Sequence, residues 1–259
     1  MDEKKFECKS CSNEPSGKIN VSRVVNKLDE CFAKNDLAEA VRTVEYWENE
    51  ARSLNDFCGL LSVLNEELGL YRTLNDEAKG MRAVRLALEI LAEDDSLSRA
   101  TVYVNVATTL KAFGKAEEGL PYYDKAEQSY LKHGFQNTYE HAALLNNKGT
   151  ALSDLARYDE AEKCFIDAIN ILKEEGNHDA DIAISVLSLA YIVFEREENY
   201  DKVEQMLDVA WDYLNSERQP HDFNYAAAIK KCVPSLRYFQ RGMEADALEE
   251  TANEIYSRG

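Results

Sequence analysis

The chain has 259 residues, of which 45% are hydrophobic and 30% are charged, and its formal net charge at pH 7 is −18. An acidic surface repels phosphate backbones and anionic lipid, so the charge argues against nucleic-acid and membrane-surface partners. The N-terminal sequence has no signal-like apolar segment, and no later run approaches the roughly 18 apolar residues of a membrane span. We therefore expect a cytoplasmic protein with no membrane role.

The residue composition favours helix along nearly the whole chain. Only 4 Pro and 11 Gly are present, whereas Ala, Leu and Glu are abundant, which leaves little of the turn chemistry that hairpins of strands require. We predict an all-α protein. Residues 1–19 are charged and contain Pro15 and Gly17, so we predict that they form a flexible tail ahead of a helical domain at 20–259.

One helical phrase recurs along the chain with steps of 40, 39, 42 and 42 residues. In each copy a small or modest apolar residue near the start of a helix is followed four positions later by a larger one. The first set is Ala40, Gly80, Gly119, Ala161 and Val203, and the second set is Val44, Val84, Tyr123, Phe165 and Leu207. An offset of four lies on one face of an α-helix. A hairpin of two such helices cannot bury its own apolar face, so the repetition predicts hairpins stacked on one another.

The punctuation between the periodic segments sets the predicted boundaries. We predict antiparallel helical pairs at 21–54, 56–94, 97–133, 138–175 and 179–216, followed by an irregular pair at 221–257. The small-large pattern fails in this last pair, and Pro234 is predicted to interrupt its first helix. Because terminal repeats cover the exposed end of a stack, we interpret 221–259 as an atypical cap.

The clearest copy is "ALLNNKGTALSDLARYDEAEKCFIDAINIL", which begins at residue 143. It resembles the tetratricopeptide repeat, whose pattern is met at Leu145, Gly149, Tyr158, Ala161, Phe165 and Ala168. The long period, the Asn-Asn at 146–147 and the phrase "GLPYY" at 119–123 are similar to the repeats of kinesin light chains. The resemblance implies a right-handed α-α superhelix, or solenoid, of five to six hairpins.

In that family the first helices of the hairpins line a concave groove, and an Asn in the groove holds the main chain of a bound peptide. The resemblance carries this role to Asn105 and Asn147, which are one unit apart. The same register adds Thr108, Lys111, Asn146 and Thr150. It adds Ser188 if one residue is inserted in the turn, and Tyr191 and Phe194 then approach the groove as well. The alternative is that these amides bond to a neighbouring helix or to water.

No catalytic or phosphate-binding motif can be identified, and only four His residues are present. His141, His178 and His221 each lie near the start of a predicted first helix. Equivalent residues of packed helices are about 10 Å apart, too far to share a metal ion. We expect solvated loop residues, with His178-Asp179 and His221-Asp222 contributing helix caps. We predict that the protein is not an enzyme and that it binds no cofactor.

The cysteines fall into two groups. Cys31, Cys58, Cys164 and Cys232 lie within apolar helical patterns and are predicted to be reduced core residues. Cys8 and Cys11 form a CxxC in the tail. That pair is compatible with an incidental spacing, with half of a zinc site completed by another chain, or with a redox couple, and the sequence leaves all three open.

The sequence therefore predicts a non-enzymatic module that binds a protein or peptide in the concave groove. A ligand with basic residues around an apolar anchor suits the acidic surface. The alternative is a regulatory, self-associating repeat protein, such as a homodimer, whose CxxC tail binds zinc or senses redox state. A third reading is an enzyme with an unfamiliar site on the same scaffold.

Overall fold

A computed structural model describes residues 18–91, 97–218 and 220–258, and within these ranges the chain forms twelve α-helices and no strand. The chain divides into two compact units at His133 and Gly134. The first unit contains α1 (Val21–Ala33), α2 (Leu37–Ser53), α3 (Phe57–Thr73), α4 (Glu77–Leu91), α5 (Leu97–Ala112) and α6 (Ala116–Lys132). The second contains α7 (Tyr139–Asp154), α8 (Tyr158–Glu175), α9 (Asp179–Glu197), α10 (Tyr200–Leu214), α11 (Phe223–Tyr238) and α12 (Gly242–Ser257).

Each unit consists of three helical hairpins. In the first unit the hairpins are α1 with α2, α3 with α4, and α5 with α6. In the second they are α7 with α8, α9 with α10, and α11 with α12. The first helices of successive hairpins also touch, α1 and α5 on either side of α3, and α7 and α11 on either side of α9. The predicted all-α architecture of stacked hairpins is confirmed.

Every predicted helical pair is found, with ends within three residues of the prediction. The prediction that Pro234 interrupts its helix was wrong, because α11 runs without a break from Phe223 to Tyr238. A proline inside a helix costs about 3 kcal/mol through its lost N–H and its clash with the preceding turn. The neighbouring Cys232, Val233 and Leu236 are all buried, and their packing against adjacent helices offsets this cost.

The small positions of the repeat let helices approach closely. A Cβ added to Gly119 would lie 2.9 Å from the backbone oxygen of Ala107, on the partner helix of the same hairpin. One added to Gly149 would lie 2.9 Å from the ring of Phe165. The larger partners in the repeat, Tyr123 and Phe165 among them, are essentially inaccessible to solvent. Small residues that face large ones therefore set the packing distance in the hairpins of α5 with α6 and of α7 with α8.

Three turns in the first unit share one backbone conformation, which the repeat register did not reveal. Asn35, Asn55 and Asn75 adopt left-handed φ values of 53°, 51° and 52°, a conformation that Asn tolerates better than most residues. Each is followed by an Asp that accepts a hydrogen bond from the backbone N–H three residues later. An Asn-Asp pair thus ends one helix and caps the next.

Among the described helices, none is long and apolar enough to cross a membrane.

Candidate functional site

In the first unit, the predicted groove residues contact neighbouring helices. The side-chain amide of Asn105 on α5 donates to Oδ1 of Asn65 on α3 at 2.8 Å. The hydroxyl of Thr108 lies 2.9 Å from that of Tyr123 on α6. Lys111 is half-buried one turn further along α5. For the Asn105 amide, the structure shows the hydrogen bond to a neighbouring helix that the sequence left open as the alternative.

The second unit makes a similar contact, in which Asn146 takes the place of Asn65, because each lies 15 residues before the small residue of its repeat, Ala161 or Gly80. Oδ1 of Asn146 on α7 accepts from the Ser185 hydroxyl on α9 at 2.7 Å, much as Asn65 accepts from Asn105. Asn147, the predicted equivalent of Asn105, instead donates to the carbonyl of Ala143 within its own helix at 2.9 Å. Asn146, and not Asn147, therefore makes the bond between first helices.

The remaining predicted residues satisfy their hydroxyls within their own helices. Thr150 donates to the carbonyl of Asn146 at 2.8 Å, and Ser188 donates to that of Ile184 at 2.9 Å. Both residues remain partly accessible. They supply small, partly polar surface.

The central first helix of the second unit presents a continuous accessible stripe. Asp181, Ile184, Ser188, Tyr191 and Glu195 follow one another at spacings of three and four residues, and none of them is fully buried. This spacing places them on one face of α9. We call this face the α9 stripe. Helices α7 and α11 both contact α9.

The carboxyl-terminal end of the α9 stripe meets a cluster of aromatic rings. Phe194 makes edge-to-face contacts with Tyr200, Tyr238 and Phe239, with ring centroids 5.7, 5.9 and 6.0 Å apart. Tyr191 contacts Tyr238 in the same way at 5.7 Å. We call these five residues the aromatic cluster. Its edge remains open to solvent, since Tyr238 is 51% exposed and Tyr200 is 65% exposed.

Acidic residues border this cluster. Oε1 of Glu195 accepts from the Tyr238 hydroxyl at 3.3 Å. Burial raises the pKa of Tyr191 and Tyr238, and the negative charge of Glu195 raises both further. Asp154 at the end of α7 acts in the same direction on Tyr191. Negative charge therefore borders the rings.

Sequence reasoning located only part of this cluster. The shifted register at Ser188 brings Tyr191 and Phe194 towards the groove, but Tyr238 lies in the last pair, where the small-large pattern fails. The spacing of Tyr238 and Phe239 in the printed sequence carries no repeat signal. Their position depends on the packing of α11 against α9.

The three histidines do lie at the starts of first helices, as predicted, but their capping roles differ from the prediction. His178 is at the N-cap of α9, and no side-chain capping bond is formed there. Asp222 does cap α11, accepting from the backbone N–H groups of Asn224 and Tyr225. His141 lies inside α7 and is buried, with Nδ1 bonded to the carbonyl of Gln136, so the expectation that it would be a solvated loop residue was wrong.

The cysteine predictions are borne out in part. Cys31, Cys164 and Cys232 are buried free thiols, whereas Cys58 is half-buried and disulfide-bonded, so its assignment as a reduced core residue was wrong. Cys8 and Cys11 lie outside the described residues. Within the described ranges, no group of three or more His, Cys, Asp or Glu is placed to hold a metal ion.

Comparison with known proteins identifies the repeat. Residues 141–175 match the family model described as the tetratricopeptide repeat, which confirms the resemblance seen in α7 and α8. No curated protein matches the sequence.

Two solved structures share the fold. BtubC (BKLC) from P. vanneervenii aligns with a TM-score of 0.57 at 17% identity, covering 87% of this chain and 91% of that one. PilW, described as a widely conserved type IV pilus biogenesis factor, aligns with a TM-score of 0.58 at 14% identity, covering 92% of this chain and 94% of that one. The family match supports a protein-interaction scaffold in general terms, and the two structures show the shared fold.

Proposed function

We propose that this chain, which carries a tetratricopeptide repeat at residues 141–175, is a non-enzymatic interaction module that binds a peptide along the α9 stripe. The apolar anchor of the peptide packs on the aromatic cluster, and basic residues of the peptide lie beside the bordering carboxylates. The observation that carries the proposal is the aromatic cluster itself, which combines interlocked rings with a solvent-exposed edge.

Exposed tyrosine rings provide large contact areas at a low cost in conformational entropy. Each Tyr has two rotatable side-chain bonds, and here edge-to-face contacts with Phe194 restrict Tyr200 and Tyr238 further. Aromatic residues held in this way dominate the energy of many interfaces because they bury apolar surface without much ordering on binding. The cluster is thus preorganised for an apolar side chain.

The charge of the ligand follows from the charge of the surface. The chain carries 48 Asp and Glu against 30 Lys and Arg, and Glu195 lies against the exposed edge of the cluster through its bond to Tyr238. A lysine or arginine next to the anchor would contact both the carboxylate and a tyrosine face. An acidic ligand would instead be repelled.

The experiment is selection from a displayed random peptide library on the full chain, followed by affinity measurements on synthetic copies of the enriched peptides. We expect an apolar or aromatic residue flanked by Lys or Arg. The variant Tyr238→Ala should bind these peptides at least tenfold more weakly, since removal of an aromatic anchor from an interface commonly costs about 2 kcal/mol.

Tyr46→Ala is the matched control, because Tyr46 is also an exposed tyrosine, 60% accessible, but lies on α2 in the first unit. It should leave the affinity unchanged. Enriched peptides that bind Tyr238→Ala as well as the unmodified chain would place binding elsewhere and contradict the proposal.

A further inference from the structure

We propose a second subsite for the same ligand: a cavity at the amino-terminal end of the α9 stripe that receives a lysine or arginine side chain about five residues away from the apolar anchor. This inference rests on the proposed function and adds the position, chemistry and spacing of a second contact. It lies entirely within the second unit.

The cavity has a volume of 370 Å³ and lies where the first helices α7, α9 and α11 begin. Tyr139 belongs to α7, Asp181 to α9 and Tyr225 to α11, and all three line it. The ring of His178 stacks on that of Tyr139 with centroids 4.8 Å apart. One wall is thus an aromatic face and another is a carboxylate, the two groups that together bind a cationic side chain.

The carboxylate of Asp181 is one of the polar groups that line this cavity. Its Oδ1 accepts only a long hydrogen bond, 3.5 Å, from the Tyr139 hydroxyl. Burial raises the pKa of Asp181, and this effect outweighs the lowering by the charges of Lys231 and His178. Lys231 on α11 and His178 thus stabilise the charged carboxylate only in part. A cation entering the cavity would add to that stabilisation.

Two further carboxylates, Glu175 and Asp222, lie on the cavity wall, and no Lys or Arg lies among the described residues that line it. Each has a partner, since Glu175 lies 3.8 Å from Nε2 of His178 and Asp222 caps α11 through its Oδ1. They add negative potential to the cavity and leave Asp181 as the carboxylate available to a ligand. A guanidinium or ammonium group is the chemistry that fits this lining.

The geometry of α9 sets the spacing between the two subsites. Asp181 and Tyr191 are ten residues apart on one face of one helix, which corresponds to about 15 Å at a rise of 1.5 Å per residue. An extended peptide covers that distance in about five residues. Ile184 and Ser188 lie between the two subsites on the same face, and neither is large enough to block a chain lying over them.

The cavity can be tested without the aromatic cluster by using single-residue probes. N-acetyl-arginine methylamide is titrated into the full chain, and binding is followed by NMR of the His178 and Tyr139 rings. N-acetyl-citrulline methylamide, a neutral analogue of the same shape, is the matched probe. We expect saturable shifts with arginine, binding at least tenfold weaker with citrulline, and a similar loss for arginine with Asp181→Asn.

Tyr46→Ala should leave the arginine titration unchanged, since Tyr46 lies on α2 in the first unit. Equal binding of arginine and citrulline, or no binding of either, would overturn the cavity while leaving the selection of apolar peptides intact. If the proposed function is wrong, the result is different: the selected peptides bind Tyr238→Ala with the same affinity as the unmodified chain.

The spacing is tested with acetylated and amidated peptides that carry one Trp and one Arg separated by one to nine Ser residues. Fluorescence anisotropy should show the tightest binding at four or five intervening residues, and this optimum should disappear in Asp181→Asn. An affinity that does not vary with the separation would contradict the two-contact arrangement. Acetylation removes the terminal amine as a competing cation.

Discussion

Glu67 on α3 and Arg82 on α4 form an incomplete ion pair inside the first unit, with Oε2 and Nη1 3.5 Å apart. Glu67 has no exposed surface, and neither of its carboxyl oxygens has a hydrogen-bond partner. Arg82 donates instead to Glu48 on α2 at 2.5 Å, where Arg52 also donates. One arginine is thus shared by two carboxyl groups, and Glu48 holds the better contact.

The two carboxyl groups consequently have opposite pKa shifts. Burial raises the pKa of Glu67 to about 8, and the charge of Glu48 adds to the increase. Burial also acts to raise the pKa of Glu48, but the hydrogen bonds and charges of Arg82 and Arg52 lower it below its ordinary value. At neutral pH the pair therefore holds one proton, on Glu67.

Replacing Glu67 with Gln should flatten the pH dependence of stability. Between pH 4.5 and pH 8 the unfolded chain releases the Glu67 proton while the folded chain keeps it, so the free energy of unfolding falls as pH rises through this window. Glu67→Gln cannot ionise and should lack this fall. We expect urea unfolding at pH 5 and pH 8 to show that, relative to the unmodified chain, the free energy of unfolding of the variant is higher at pH 8 than at pH 5 by a few kcal/mol.

Glu66→Gln offers the control, since the neighbouring Glu66 is half-buried and burial raises its pKa less strongly. Its pH profile should stay close to that of the unmodified chain. A Glu67→Gln profile parallel to that of the unmodified chain would show that Glu67 is ionised in the folded state at neutral pH.

Two glycine substitutions in the first unit should have opposite effects on stability, because Gly119 lies where α6 approaches α5 closely and Gly69 on α3 has open space around it. In Gly119→Ala the new methyl group would lie 2.9 Å from the Ala107 carbonyl oxygen, so the backbone must move. We expect a loss of about 1–3 kcal/mol in the free energy of unfolding. Gly69→Ala meets only the end of the Arg72 side chain at 3.9 Å, and it should gain up to about 1 kcal/mol from helix propensity.

Urea midpoints of both variants test this pair of expectations, with far-UV circular dichroism confirming equal helix content. Equal midpoints for the two alanine variants would mean that the hairpin accommodates the methyl group of Gly119→Ala without a shift.

The periodic part of the fold could be predicted from the sequence because its determinants are local. The small-large alternation at Ala161 and Phe165 is visible in the printed residues, and it sets how closely two sequential helices pack. The Asn-Asp turns could also be predicted from the sequence, since Asn35, Asn55 and Asn75 recur every 20 residues and each precedes an Asp. These Asn-Asp pairs recur once per helix, at half the repeat period, so an alignment made once per hairpin does not bring them into register.

The binding surface could be predicted less well because it depends on contacts between hairpins. A sequence register aligns Asn105 with Asn147, but a shift of one residue moves a side chain by about 100° around a helix. In the second unit Asn146, which aligns with Asn65 and not with Asn105, accepts the hydrogen bond from Ser185 on α9. Tyr238 is harder still, because α11 has no small-large pattern that would fix its rotation against α9.

The bond between Asn105 and Asn65 should make Asn105 a stability residue of the first unit. Asn105→Ala removes the donor of a 2.8 Å hydrogen bond between α5 and α3 and should lower the free energy of unfolding by about 1 kcal/mol. Peptides selected on the full chain should bind the variant normally, because the proposed surface lies in the second unit. A double-mutant cycle with Asn65→Ala should show positive coupling between the two amides.

Additive losses in that cycle would contradict a direct interaction. Loss of peptide affinity in Asn105→Ala at unchanged stability would instead return the peptide contact to Asn105, as the family resemblance implied.

The final prediction concerns the loop that follows α10. Arg218 donates through Nε and Nη2 to both carboxylate oxygens of Asp179, at 3.0 and 3.2 Å. The Asp179 side chain is 8% exposed, so truncation to Arg218→Ala would leave a buried carboxylate at the start of α9 without this partner. We expect a loss of about 1–3 kcal/mol in the free energy of unfolding. Arg258→Ala, which removes an exposed pair with Glu254, should change it by less than about 0.5 kcal/mol.

The charge-neutral variant Asp179→Asn separates the two sources of that loss. If the cost arises from the unpaired buried charge, Arg218→Ala should be much less harmful in the Asp179→Asn background, because no carboxylate remains to be desolvated. Urea unfolding of the two single variants and the double variant measures this coupling. An equal loss from Arg218→Ala in both backgrounds would mean that the arginine stabilises the loop through packing and its contact with Ser216, and not through Asp179.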